Sequence, residues 1–195
     1  MTGIWLLLLI ALMRQTPGDA ASVEPHVEKG RTWEQFLADV SAQQELWLKT
    51  ESAVDVPGDL VERARRASRG LQLLVVTEDW CVDSAYSLPY VARLAQASGI
   101  PLRIFDRTAG RSLMLAHPTR DGRTVTPTIV LWRNGHDAGA WIERPAELQE
   151  LFFSMSTNPE NARRFAQRHL WYESDRGLTV LQEVLALIEQ SADKR

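Results

Sequence analysis

Apolar and polar positions follow one another along the chain in several rhythms, and the changes of rhythm mark the elements. Ile4 to Met13 is a run of ten apolar residues with no polar face. That is the length of a signal-peptide core and too short to span a bilayer as a helix. Small residues follow at Gly18, Ala20 and Ala21, although no Lys or Arg precedes the run. The pattern predicts an exported chain with a leader over residues 1–21 and a polar linker over 22–31, in preference to a buried first helix. Thr32-Trp33-Glu34-Gln35 has the form of a capping box, and Phe36, Leu37, Val40, Leu46 and Trp47 continue it as one apolar stripe, so a helix is expected there. Pro57-Gly58-Asp59 interrupts, and a second helix runs from about Leu60 to Gly70.

Leu71 to Val76 is short, aliphatic and branched, the mark of a strand buried on both faces. Leu88, Val91, Leu94 and Ala95 then recur at helical spacing, with Gly99 as the stop, so a helix begins at or just after Cys81. Ile100 to Phe105 reads as the next strand, with an irregular or helical piece through Leu115. Thr128 to Trp132 reads as another strand, which Asn134-Gly135 turns into a hairpin with 138–142. Pro145 opens a helix through Met155, Asn158-Pro159 starts another, and Leu181, Leu185 and Leu187 belong to a third.

Composition narrows the chemistry. With 45% hydrophobic and 24% charged residues over 195 positions, the chain is long and apolar enough for one domain with additions. A net charge of -3 argues against a nucleic-acid partner. The basic run Arg63, Arg65, Arg66 and Arg69 has helical spacing and reads as a solvated face. His26, His117, His136 and His169 are scattered without metal-ligand spacing, so neither a metal nor a cofactor is expected. One cysteine, Cys81, excludes an internal disulfide.

Three features together resemble the thioredoxin family: Trp80-Cys81 after a buried strand, Pro89 eight residues on, and Pro127 followed by T128-I-V-L-W-R-N-G135. More narrowly, T77-E-D-W-C-V-D-S84 with W141-I-E-R-P145 resembles bacterial thioredoxin-like proteins carrying T-E-D-W-C-x-D-A/S and W-x-x-R-P. The resemblance implies an α/β thioredoxin-like fold, a central mixed sheet flanked by helices. Its domain would span 32–156 with N-terminal helices, and 157–195 would be a helical C-terminal extension. It implies a kink at Pro89, a cis-proline at Pro127 packed against the reactive sulfur, and a substrate contact at Trp80 and Thr126. Where thioredoxins carry a second cysteine this chain has Ser84, and Val75 stands where they bury an acid. Any disulfide on Cys81 therefore needs an external thiol to resolve it.

At a helix start, unpaired N–H groups and the macrodipole favour a thiolate, while Glu78, Asp79 and Asp83 oppose it by like charge. Glu78, Asp79 and Asp83 are also the candidates for handling protons. Asp83 has a simpler role as a helix-start acid, Ser84 as a small residue able to donate to sulfur, and Arg144, in the R-P of the resemblance, as either an ion-pair partner for an acid near the motif or an anion binder. Two functions stand against each other, with a sulfenic-acid peroxide sensor at the same thiol as a third. One is monothiol exchange at Cys81 with a thiol-containing protein or small thiol, in the cell envelope. The other is a redox-inactive module binding an extended peptide beside Pro127. No membrane span is expected once the leader is removed, and the sequence leaves the oligomeric state open.

Overall fold

The computed structural model describes residues 27–155 and 161–193. The apolar run at 4–13 and the Asn158-Pro159 helix start lie outside the described residues. After a single 3-10 turn at Val27–Lys29 come three helices, α1 (Trp33–Asp39), α2 (Gln44–Ala53) and α3 (Gly58–Arg66). They lead into β1 (Leu71–Val76), α4 (Val82–Ser98), β2 (Leu102–Phe105), α5 (Arg111–Ala116), β3 (Thr128–Arg133) and β4 (His136–Ile142). Three further helices, α6 (Ala146–Ser154), α7 (Asn161–Asp175) and α8 (Leu178–Asp193), complete the order.

The four strands lie in the order β2-β1-β3-β4, with β1 parallel to β2 and antiparallel to β3. β1 is internal because its aliphatic residues have a covered face on either side. Leu71, Leu73 and Val75 join Ile129, Leu131 and Trp141 in a core shared with α1–α4 and α8. Leu74 and Val76 face the other way, onto Phe105, Leu113, Met114 and Val130. Five residues of α8, Val180, Leu181, Val184, Leu185 and Ile188, are fully buried in the first of these cores. The last helix is thus a structural wall of the domain. The β3–β4 hairpin turns on Asn134 and Gly135, both at positive φ (52° and 83°), as a two-residue turn of this sequence requires.

One element differs from the sequence reading. The stripe from Phe36 to Trp47 is two helices, because the chain leaves the helical region at Val40 (ψ 125°) and re-enters through Gln43 in the left-handed region (φ 52°). The capping box at Thr32 and Gln35 does form. The break gives both helices a buried contact, with the Phe36 and Trp47 rings edge-on at 5.1 Å. It also frees the amides of Ser41 and Ala42 to point at the loop after β1. No helix among the described residues is long and apolar enough to cross a membrane.

Candidate functional site

Residues 77–80 connect the end of β1 to α4, and their side chains and carbonyls are tied on both flanks. On one side, Asp79 Oδ2 accepts from the Ser41 amide (3.0 Å), the Ser41 hydroxyl (3.0 Å) and the Ala42 amide (2.8 Å), while Trp47 Nε1 donates to the Asp79 carbonyl at 2.7 Å. The Ala42 amide, helped by Ser41 and opposed by burial, holds the Asp79 carboxyl below its ordinary value. On the other side, Glu78 Oε1 accepts from the Arg107 amide at 2.8 Å. Between these anchors Trp80 projects outward, 54% exposed.

Cys81 is the N-cap of α4, with extended backbone angles (φ −79°, ψ 110°), and its carbonyl accepts the first helical bond from Ala85. The helix closes where Gly99 takes the left-handed conformation (φ 74°), and it tolerates Pro89 within its length. The Cys81 thiol donates to the Thr126 carbonyl at 3.2 Å. The Thr126–Pro127 peptide bond is cis. Cys81, Thr126 and Pro127 are therefore one constellation, with Trp80 beside it. Cys81 is 7% exposed, so little of the residue reaches solvent.

Ser84 is fully buried, and its hydroxyl makes no hydrogen bond, to the sulfur or otherwise. The acids expected to handle protons have other partners. Glu78 and Asp79 serve backbone amides, and Asp83 belongs to a buried cluster. Asp83 Oδ1 accepts from the Tyr172 hydroxyl at 3.0 Å, and Oδ2 from Arg168 at 3.1 Å and Arg144 at 3.2 Å. The last is the ion pair expected of Arg144. Arg144 follows Glu143, a buried residue at φ 65° whose amide donates to the Pro127 carbonyl at 2.7 Å, so the turn after β4 is fastened to the proline loop.

Tyr172 and Arg168 escaped the sequence reading, because they stand on α7, more than eighty residues from Asp83. Of the groups that meet Asp83, the sequence reading had offered only Arg144 as a partner for an acid near the motif. The Tyr172 ring stacks on Tyr86 at 4.7 Å with 8° between planes, and His169 Nδ1 lies 2.9 Å from the Tyr86 hydroxyl. Burial, with Asp83 as a neighbour, pushes the Tyr172 hydroxyl well above its ordinary value, so it stays a donor to the carboxylate. Among the described residues no three His, Cys, Asp or Glu side chains are placed to hold a metal.

A family model described as thioredoxin matches residues 30–163. No curated protein matches the chain. Among solved structures, a protein of unknown function from Pseudomonas aeruginosa shares 19% identity at a TM-score of 0.64, over 84% of this chain and 94% of that one. An HIV epitope-scaffold protein is similar at 20% identity and a TM-score of 0.62, with the same shares covered. At such identities the two structures speak for the fold, and the family model covers most of this chain. The mixed sheet, the helix that starts at Cys81 and the proline loop facing it therefore have a common explanation: the chain belongs to the thioredoxin family.

Proposed function

We propose that the protein is a monothiol thiol-disulfide exchange protein acting through Cys81, a single-cysteine member of the group with the T-E-D-W-C-x-D-A/S motif. The observation that carries this reading is the placement of the one thiol at the start of α4, 3.2 Å from the carbonyl of Thr126 beside Pro127. In exchange, the Cys81 thiolate attacks one sulfur of a disulfide. A Cys81–S bond forms, the old S–S bond breaks, and the other sulfur leaves with the electron pair. Ser84 holds the position from which a second thiol would resolve the mixed disulfide, and a hydroxyl cannot do so. An external thiolate attacks instead, restoring Cys81 and forming a new disulfide. The Thr126 and Pro127 backbone and the exposed face of Trp80 are the surfaces that would receive the partner. The apolar run at 4–13 supports action in the cell envelope, where oxidised partners are available.

The near-complete burial of Cys81 favours a second reading, a redox-silent module that holds an extended peptide beside Pro127. Intact mass after incubation with oxidised glutathione separates the two. Exchange predicts one glutathionyl adduct on Cys81, removed by added thiol and absent in Cys81→Ser. A folded protein that gains no adduct over hours overturns exchange and leaves the binding module.

A further inference from the structure

Three guanidinium groups gather beside the start of α4. Arg144 lies over one ring, Phe152, at 4.1 Å from its centroid, and Arg164 lies over the same ring at 4.7 Å. Arg144 and Arg168 both reach Asp83 Oδ2. Among the described residues the Nε–H groups of Arg144, Arg164 and Arg168 are all buried without an acceptor, and the Arg144 side chain is only 8% exposed. Buried donors are satisfied in the great majority of cases, so three orphans in one place imply a missing acceptor. Charge points the same way. Arg144 shares Glu143 with Arg123, which also holds Asp121, so among the described residues four guanidiniums here meet three carboxylates. Glu78 and Asp79 do not restore the balance from within the cluster, since their carboxylates are turned to backbone amides of Arg107 and of Ser41 and Ala42.

We propose that Arg144, Arg164 and Arg168 form a receptor for a carboxylate carried by the thiol or disulfide that reacts at Cys81, so that the preferred substrate is anionic. The inference rests on the exchange reading and adds the substrate class to it. Guanidinium is suited to this task because its planar fork matches the two oxygens of a carboxylate. Asp83 lies two residues past Cys81 on the same helix start, and the turn bearing Arg144 is fastened to the Pro127 carbonyl, so the cluster is tied to both elements that carry the thiol and its proline loop. A substrate whose carboxylate stands several bonds from its sulfur would span the two.

Two aromatic disulfides test this: the carboxylated 5,5′-dithiobis(2-nitrobenzoate) and the neutral 4,4′-dithiodipyridine. Each transfers one aryl thiol to Cys81 and releases the other as a chromophore. The readout is the ratio of the two rates, normalised to the same ratio for a free cysteine peptide. That ratio is expected on the order of fivefold above the peptide's, to fall towards it in Arg164→Gln and to shrink as salt rises. A general loosening of the fold moves both rates and leaves the ratio alone. Arg144 and Arg168 are paired with Asp83, and among the described residues Arg164 shows no ion pair with it. That makes the replacement of Arg164 the less disturbing one, and Arg168→Gln is the second variant. A wild-type ratio equal to the peptide's overturns the anion receptor while exchange stands. Failure of both reagents to react overturns both.

Discussion

Asp79 and Asp83 stand two residues either side of Cys81, and their surroundings give them different work. Asp79 caps a break between helices with neutral donors, in partial contact with water. Asp83 is 4% exposed and accepts from two cations and a phenol. Burying a carboxylate is tolerable only while those partners remain, and the converse holds for the arginines. Asp83→Ala leaves Arg144 without its inner partner and Arg168 without an ion pair, and is expected to cost about 3 to 5 kcal/mol. Tyr172→Phe removes one hydrogen bond to a charged acceptor and is expected to cost about 1 to 3 kcal/mol. Urea denaturation of the three proteins reads both values. An Asp83→Ala protein within about 1 kcal/mol of the parent would show that the cluster is not a buried ion-pair network at all.

Most elements were legible because periodicity reports what each face touches, and faces are local. β1, α4 and the hairpin followed from aliphatic runs, spacing and turn residues alone, while the ion pair of Arg144 was one of two readings attached to the W-x-x-R-P resemblance. What stayed hidden depends on contacts between distant segments. The break at Val40 to Gln43 interrupts a stripe whose apolar spacing looks continuous, and its cause is Asp79, thirty-eight residues from Ser41. The role of α7 is likewise set by Asp83 and Tyr86. The turn between α7 and α8 shows how tightly this late element is fitted. Gly177 has φ 74°, and a Cβ there would lie 2.3 Å from Cγ of Tyr90 on α4, with two more ring atoms within 2.5 Å. Gly177→Ala therefore combines a left-handed backbone, costing about 1 to 2 kcal/mol, with a steric clash that only a shift of α4 or of the turn can relieve. The expected result is a lowered Tm, with amide exchange accelerated in α7 and α8 before it rises in β1 and β3. Uniform acceleration across the sheet would mean that the last helices are not a separable unit.

The stability of the whole molecule towards acid should fall in two stages, because its perturbed groups lie in two pH ranges. His169 sits between α7 and α4, where burial first and the Arg168 charge second lower its value below 6.5, against weaker opposing effects of Glu173 and Asp83. Lys49 adds to the lowering, and the neutral ring suits the Tyr86 hydroxyl as an acceptor at Nδ1. The unfolded chain then binds a proton at His169 more readily than the native one. Its contribution to stability is whole above pH 6.5, declines as pH falls below that, and is gone once the lower native value is passed. Asp79, held down by the Ala42 amide, and Glu189, held down by Arg63, respond later. Their contributions persist above their ordinary values of 3.8 and 4.5 and are lost as pH falls through the still lower native ones. The first stage belongs to one imidazole on α7, so His169→Gln should remove it and leave the second unchanged. Urea midpoints measured from pH 7.5 to about 2 give the comparison. If parent and variant decline in parallel between pH 6.5 and about 5, the mild-acid response does not come from the α7–α4 contact.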